Sequence, residues 1–161
     1  MEKNLLDKFC FSSPIGWINI VAENRSVKEV SFVNSFIEHD SSNVFLKEVE
    51  KEFEEYFNGQ RKEFTFNCEP DGTDFQKKVW NELLNIPYGK TVSYLDMARK
   101  LGDEKVIRAA ASANGKNPIA IVIPCHRVIG SDGSLTGYAG GMDKKEWLLS
   151  HEVGVYAPTL F

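Results

Sequence analysis

The chain of 161 residues lacks any long hydrophobic run. Its longest strongly apolar run, Ile119–Ile123, has the length of a strand, whereas a membrane-spanning helix needs about 20 apolar residues. The first four residues, Met1-Glu2-Lys3-Asn4, carry both charges, and no apolar signal core follows them. The sequence therefore predicts neither membrane attachment nor export.

Cysteine and histidine are also scarce, with three of each. The cysteines are odd in number, widely spaced and without a CxxC pair, so no disulfide framework is expected. Cys10, Cys68 and His39 do not have the spacing of a zinc site. No metal and no other cofactor is predicted. A reducing cytoplasm is the expected location, since it would keep a working thiol reduced.

A net positive charge is lacking as well, because 19 Lys and Arg residues stand against 23 Asp and Glu, a formal net charge of −4. Residues 1–69 hold 8 basic and 13 acidic side chains, and residues 70–161 hold 11 and 10. The acidity therefore belongs almost wholly to the first part. Any binding of nucleic acid should be modest in affinity and in salt dependence.

Residues 1–69 are predicted to form a small mixed α/β domain with an antiparallel sheet and one helix. Alternating apolar residues predict a strand meander at Phe9–Phe11, Trp17–Val21 and Val30–Phe32. From Asn43 to Phe57 the apolar period becomes that of a helix, whose opposite face is acidic. Lys62–Asn67 alternates again and predicts one more strand.

Residues 70–161 are predicted to form a second, mainly helical domain after a linker at Glu69–Gly72. Thr73 and Gln76 have the spacing of a capping box, which opens a helix. Ile119–Ile123 predicts a buried strand. The class predicted for the whole chain is therefore α/β, with the helices concentrated in the second domain.

A helix-turn-helix is predicted inside this second domain. Ser93 and Asp96 form another capping-box pattern and open a short helix that Gly102 ends. A third helix, rich in alanine, follows from about residue 104 to 114. Two short helices joined by a tight turn with glycine fit a helix-turn-helix. Tight packing inside the domain explains the alanines equally well.

The most informative segment is Ile121–Ile129, with the sequence IVIPCHRVI. It places Cys125, His126 and Arg127 in direct succession after an apolar run and a proline. A thiol attacks as thiolate, and neighbouring His and Arg side chains raise the ionised fraction. Cys125 is therefore predicted to be a nucleophile. In the alternative interpretation, Cys125 ends a core strand and the next two residues begin a solvated loop.

The histidine of this segment is predicted to act as the base. Consecutive residues of a strand point to opposite faces, so cooperation of Cys125 with His126 needs a bend or a bridging water. A histidine base usually needs a third group to fix its tautomer. Glu152 is the candidate, on a final helix from about Asp143 that ends before Gly154. A cysteine hydrolase uses the same residue types, so the pair leaves the reaction open.

The segment Pro124–Ile129 resembles the active-site signature of the O6-alkylguanine-DNA alkyltransferases, also called methylated-DNA–protein-cysteine methyltransferases. Further segments resemble the family in the same order: Phe75–Trp80, Ile86–Thr91, Ser93-Tyr94, Arg108-Ala109, Ala113–Pro118, Thr136–Gly141 and Lys145–Leu149. The resemblance covers essentially all of residues 70–161. Residues 1–69 resemble the variable N-terminal domain of the family only in outline, mainly at Pro14-Ile15-Gly16.

The resemblance implies DNA repair by direct transfer of an alkyl group from O6-alkylguanine, and also from O4-alkylthymine, to Cys125. The nucleotide is first flipped out of the duplex, at a cost of a few kcal/mol. Glu152, His126 and a water would draw the proton from Cys125. Tyr94 would help to rotate the nucleotide and would donate a hydrogen bond to the leaving guanine.

The same resemblance implies that the second helix of the helix-turn-helix enters the minor groove of double-stranded DNA. This suits repair, because minor-groove contacts read little sequence and a lesion can lie in any context. Arg108 would fill the space left in the base stack. Asn117 would hold the turns around the helix-turn-helix and the active-site segment.

Besides Cys125, four further residues would contact the flipped base. The backbone carbonyls of Cys125 and Val128 would accept hydrogen bonds from the exocyclic amine, and Tyr138 would line the pocket. The glycine-rich loop with Ala139 and Gly140 would approach the base with its backbone. Some family members have serine where Ala139 stands. The resemblance implies that a backbone N–H makes the contact to the guanine oxygen here, so this contact should survive.

The product would be a thioether on Cys125, which thiol–disulfide exchange does not open. The protein should therefore act once, in a stoichiometric and irreversible transfer. It is also expected to be a monomer. Two alternatives remain at this point. A relative that only binds alkylated DNA would lack the cysteine, and a cysteine hydrolase would show multiple turnovers.

Overall fold

The computed structural model describes residues 6–39, 43–135 and 137–153. These described residues divide into two compact units: those up to 71 with Pro118–Ala120, and those from 72 to 117 with those from 121 onward. The predicted mixed α/β class is confirmed, while the domain boundary at residue 70 stays a prediction. Thr136 and Gly154, assigned above to a loop and to the end of a helix, lie outside the described residues.

The first unit contains a four-stranded sheet in sequential order. Its strands are β1 (Asp7–Ser13), β2 (Gly16–Glu23), β3 (Ser26–Val33) and β4 (Asn67–Cys68). The first three pair antiparallel, which confirms the predicted meander, and β4 runs parallel to β3. Asn24 and Arg25 have φ angles of 49° and 62°, which fit the tight two-residue turns that match strand twist.

Helix α1 (Val44–Phe57) packs against β1 through its apolar face. The Asn43 side chain accepts a hydrogen bond from the Phe45 N–H and so caps the first turn. The helix residues buried in this unit are Phe45, Leu46, Val49, Phe53 and Tyr56. The predicted helix between residues 43 and 57 is therefore confirmed.

The predicted strand at Lys62–Asn67 is wrong except for its last residue, since β4 starts at Asn67. The carboxylate of Glu52 accepts hydrogen bonds from both the N–H and the Oγ1 of Thr65, at 2.7 and 2.6 Å. That N–H is therefore engaged by a side chain instead of a neighbouring strand. The Phe64 and Phe66 rings pack on Phe53, with centroids 4.9 and 6.0 Å away.

The second unit is mainly helical. It contains α2 (Asp74–Leu83), α3 (Tyr94–Lys100), α4 (Ile107–Gly115), α5 (Met142–Val153) and a short parallel pair of strands, β5 (Val92–Ser93) and β6 (Val128–Ile129). Both predicted capping boxes are present, one at Thr73 and one at Ser93. None of the helices in the described ranges is long and apolar enough to cross a membrane.

Helix α4 packs against both α2 and α3. The indole N–H of Trp80 on α2 donates to the Ala113 carbonyl on α4, at 2.9 Å. Gly102, with a φ of 101°, follows α3, and a 3₁₀ turn at Glu104–Val106 leads into α4. The alanine-rich helix therefore starts as an α-helix three residues later than predicted. Its use as part of a helix-turn-helix stays a prediction.

The predicted strand at Ile119–Ile123 is wrong. Only Ile119 forms a bridge, to Val30 in the first unit, where the Val30 N–H donates to the Pro118 carbonyl at 2.9 Å. Ile121 has a φ of 71°, a left-handed conformation that β-branched residues rarely adopt and that prevents a regular strand. The apolar run reflects burial in irregular backbone, which bends immediately before the Cys125 segment.

Candidate active site

Cys125, His126 and Arg127 form a single 3₁₀ turn. The Cys125 N–H donates to the Ile123 carbonyl at 2.8 Å, and the turn leads directly into β6. The bend predicted near Pro124 is therefore present, and the alternating geometry of a strand does not apply. The interpretation of His126 and Arg127 as the start of a solvated loop is wrong, since both are buried.

The Cys125 thiol is held by an amide from the segment that follows α4. The Nδ2 of Asn117 donates to Cys125 Sγ at 3.2 Å and to the Ile123 carbonyl at 2.7 Å. Burial raises the pKa of the Cys125 thiol, although the Asn117 hydrogen bond and the charge of Lys145 act in the opposite direction. The expectation that its sequence neighbours leave this thiol readily ionised is not met in the folded chain.

The His126 imidazole is held neutral by burial, and a carboxylate fixes its tautomer. Its Nε2 lies 2.8 Å from Oε2 of Glu152, and burial lowers the pKa of His126 despite that carboxylate. Burial by itself would raise the pKa of Glu152, but His126 and Arg127 hold it well below its usual range. An ionised carboxylate accepts, so Nε2 carries the proton and Nδ1 keeps a lone pair. This Nδ1 is buried and has no hydrogen-bond partner among the described residues.

The Arg127 guanidinium pairs with the Glu152 carboxylate instead of the Cys125 thiol. Its Nε and Nη2 donate to the two carboxylate oxygens of Glu152, at 2.7 and 3.0 Å, and its Nη1 donates to the Ile86 carbonyl at 2.7 Å. This bidentate pair cancels the guanidinium charge and fixes the carboxylate in two directions. The sequence-based idea that Arg127 activates Cys125 directly is therefore replaced by a positioning role.

A pocket of about 620 Å³ lies in the second unit. It is lined by Tyr94, Ile107, Arg108, Ala111, Gly115, Gly137, Tyr138 and Ala139. Four predicted site residues thus share one pocket, whereas Cys125, Val128 and Gly140 are not among its lining residues. Tyr138 is itself buried, and its pKa is raised by burial and by the charges of Cys125 and Glu152. Tyr138 therefore lines the pocket and is also near enough to Cys125 to sense its charge.

Two buried polar residues near the turn were not predicted. The Nδ2 of Asn114 on α4 is 3.4 Å from the Cys125 carbonyl. Lys145 on α5 donates from Nζ to the Val128 carbonyl at 2.7 Å and lies 5.8 Å from the centre of the Tyr94 ring. Spacing along α5 could have identified Lys145, because it precedes the buried Leu148 and Leu149 by three and four residues.

The fold and the site define a protein with a buried thiol and a buried histidine in one turn, with a carboxylate paired to that histidine, and with a pocket in the same unit. In the part of the chain that the structure describes, no cluster of His, Cys, Asp or Glu could hold a metal ion.

Comparisons with known proteins agree with this class. Two family models match: "6-O-methylguanine DNA methyltransferase, DNA binding domain" at residues 74–154, and "6-O-methylguanine DNA methyltransferase, ribonuclease-like domain" at residues 8–70. A methylated-DNA–protein-cysteine methyltransferase of Methanosarcina acetivorans is 44% identical over 151 residues, which cover 88% of this chain and 95% of that protein.

Solved structures of a Mycobacterium tuberculosis protein give the same result. The O6-methylguanine methyltransferase of that organism has a TM-score of 0.84 and 37% identity, with 96% of each chain covered. Its complex with DNA has a TM-score of 0.83 and 37% identity, and covers 96% of this chain and 98% of that one. The chain belongs to the 6-O-methylguanine DNA methyltransferase family.

The buried ion pair leads to a stability prediction for Glu152→Gln. The variant leaves the Arg127 guanidinium buried without its counter-charge, which should lower the free energy of unfolding by about 3–5 kcal/mol. Urea unfolding at neutral pH measures this difference. Glu104→Gln is the matched control, because it removes a carboxylate from an exposed pair with Arg99 and should change stability far less.

The pH dependence has a defined sign. The folded-state pKa of Glu152 lies below its unfolded value, which is near 4.3, so in acid the unfolded chain binds a proton that the folded chain does not. The stabilisation is complete at neutral pH and is lost as the pH falls through the acid range. Wild-type stability should therefore decline more steeply than that of Glu152→Gln between about pH 6 and about pH 3. Parallel pH profiles would contradict the assignment.

Proposed function

We propose that this chain repairs DNA by moving an alkyl group from O6 of guanine to Sγ of Cys125, once per protein molecule. The observation that carries the proposal is the Cys125 thiol, held by Asn117, beside a neutral histidine fixed by Glu152. Family membership supports O6-alkylguanine as the substrate, and O4-alkylthymine falls within the same chemistry. The DNA complex of the M. tuberculosis relative supports DNA as the partner.

The reaction begins with proton transfer from the thiol. Because Nε2 of His126 keeps its proton for Glu152, the lone pair on Nδ1 is the one that accepts, through a bridging water. The carboxylate then stabilises the imidazolium that forms. Burial keeps the Cys125 thiol protonated until this step, so the nucleophile is generated only when a base removes its proton.

The thiolate attacks the alkyl carbon in line with the bond to O6. A carbon–sulfur bond forms, the carbon–oxygen bond breaks, and its electron pair stays with guanine. Tyr94 donates a proton to the departing guanine. The proton that left the thiol then returns through solvent and restores the Tyr94 hydroxyl. The product is a thioether, which thiol exchange does not open, so the reaction is irreversible and stoichiometric.

DNA binding is assigned to α3, the turn after it and α4, used as a helix-turn-helix in the minor groove. Arg108 is exposed at the start of α4, beside the small residues Ala109 and Ser112, which let the helix approach a groove closely. The adjoining pocket has a volume typical of small-ligand sites and receives the flipped nucleotide. Arg108 fills the space that the nucleotide leaves.

The location and assembly follow from the same chemistry. The reaction needs one reduced thiol, which a reducing cytoplasm maintains. The proposed chemistry uses one thiol, one histidine and one carboxylate, and it needs no second copy of the chain. We therefore infer that the protein works in the cytoplasm as a monomer.

Incubation with a duplex that contains O6-methylguanine should add one methyl group to the Cys125 peptide, as read by peptide mass spectrometry. Cys125→Ala should still bind this duplex and should transfer nothing, because the acceptor is absent. Cys68→Ala, which removes a half-buried cysteine of the first unit, should transfer as wild type does. An unchanged mass of the wild-type Cys125 peptide, or transfer by Cys125→Ala, would refute the proposal.

The role of Arg108 is tested by comparing two substrates. Arg108→Ala should slow methyl transfer from the duplex by about tenfold or more, since unstacking then costs a few kcal/mol without compensation. Transfer from the free base O6-methylguanine should remain unchanged, because no stack has to be filled. Lys105→Ala, which removes an exposed positive charge just before α4, is the control. Equal slowing with both substrates would count against the assigned role.

A further inference from the structure

Lys145 is the buried charged group to which the mechanism above gives no task. It lies on α5 and has a relative exposure of 0%. An ammonium ion loses several kcal/mol of hydration when it is buried, so a buried lysine requires compensating contacts. Lys145 interacts with Cys125, the acceptor thiol, and with Tyr94, the proton donor of the reaction.

Helix α5 supplies both charged groups that flank the active turn. Lys145 and Glu152 are seven residues apart, which places them on the same helix face about 10 Å from each other along the axis. Glu152 binds His126, whereas Lys145 binds the Val128 carbonyl. One helix therefore places a carboxylate beside the base and an ammonium beside the strand that follows the nucleophile.

The hydrogen bond from Lys145 fixes the Val128 carbonyl, which was assigned above to the flipped guanine. Its Nζ donates to the Val128 oxygen at 2.7 Å. A carbonyl oxygen has two lone pairs, so the second remains available for the exocyclic amine of guanine. The lysine thus fixes the direction in which Val128 presents its acceptor.

The same ammonium lies against the face of Tyr94, 5.8 Å from the ring centre. A cation at a phenol ring is attracted by the π-electrons. Lys145 therefore holds the Tyr94 ring in place and lies where negative charge develops when Tyr94 donates to the departing guanine. The charge of Lys145 also favours the thiolate form of Cys125.

We propose that Lys145 is a positioning residue of the transfer reaction. It holds Val128 and Tyr94 around the flipped guanine. Its positive charge stabilises the negative charge as this passes from Cys125 Sγ to guanine and Tyr94. Lys145 keeps its own protons and forms no bond to the alkyl group. The proposal rests on the proposed function and extends it to a residue outside the thiol, histidine and carboxylate set.

The proposal gives the reaction an upper pH limit. Burial lowers the pKa of Lys145 to about 8, while the charge of Cys125 acts against this shift. The titratable groups that interact with Lys145 include Tyr94 from α3, and Cys125 and His126 from the active turn. The transfer rate should be level while His126 is neutral and Lys145 is charged, and it should fall once Lys145 loses its proton.

The test compares Lys145→Met with Lys144→Met, which removes a positive charge from the neighbouring position of α5. Single-turnover methyl transfer is measured with saturating O6-methylguanine duplex at neutral pH. We expect Lys145→Met to react about 100-fold more slowly, the scale of losing one aligned electrostatic contact, with duplex affinity changed less than about threefold. Lys144→Met should stay within about twofold of wild type. A Lys145→Met rate within about threefold of wild type would overturn the proposal.

The pH profile provides a readout that a purely structural role would not move, and the wild-type arm needs no variant that folds. The wild-type transfer rate should decline above about pH 8, and this decline should be absent in Lys145→Met. A wild-type rate that keeps rising to about pH 9.5 would overturn the proposal, because a deprotonated lysine would then be as effective as a charged one.

Alkylation of Cys125 by iodoacetamide without DNA separates this proposal from the proposed function. At equal pH, Cys125 should be alkylated more slowly in Lys145→Met than in wild type and in Lys144→Met. Equal rates in all three proteins would overturn the electrostatic role, whatever the activity on DNA. Slower alkylation in Lys145→Met, with no transfer from DNA to wild type, would refute the proposed function alone.

Discussion

The buried carboxylate of Glu152 is the group on which the rest of the site depends. It accepts hydrogen bonds from Arg127 and from Nε2 of His126. The first contact anchors the active turn to α5, and the second leaves the lone pair of His126 on Nδ1. Without this charge, the guanidinium would be buried alone and the imidazole would have no preferred tautomer. One ionised side chain therefore sets both the stability and the protonation of the site.

Burial limits the reactivity of the Cys125 thiol. The pKa of the Cys125 thiol is raised, so the thiol is ionised to a smaller extent and reacts more slowly with incidental electrophiles. Asn117 holds the sulfur in place, His126 follows it in the same turn, and the pocket lies in the same unit. Reactivity then depends on a substrate that reaches the turn. This suits an acceptor that can be used only once.

Local signals were sufficient for the elements that depend on neighbouring residues. The capping boxes at Thr73 and Ser93, the strand meander and α1 all follow from short spacings in the sequence. The strands predicted at Lys62–Asn67 and Ile119–Ile123 were wrong, because backbone groups there are engaged by distant partners or strained at Ile121. Apolar alternation reports burial, and a bent segment in a core is buried as fully as a strand.

The site divides in the same way. Cys125 and His126 could be named from residue chemistry, whereas Glu152 was one candidate among several carboxylates until the resemblance supported it. The structure joins His126 and Glu152 by a hydrogen bond. The partners of Arg127 and Lys145 depend on α5 packing against the active turn, which no local pattern encodes. Family resemblance supplied Tyr94, Arg108, Tyr138 and Ala139, which the fold gathers around one pocket.

The central claim is that Cys125 is consumed by the reaction. It is tested most directly by titrating a known amount of protein with an excess of duplex carrying radiolabelled O6-methylguanine. The account predicts that transfer stops at one methyl group per protein molecule, with all label on protein and no slow phase after the plateau. Continued loss of label from DNA beyond that plateau, or release of a labelled small molecule, would show turnover and contradict it.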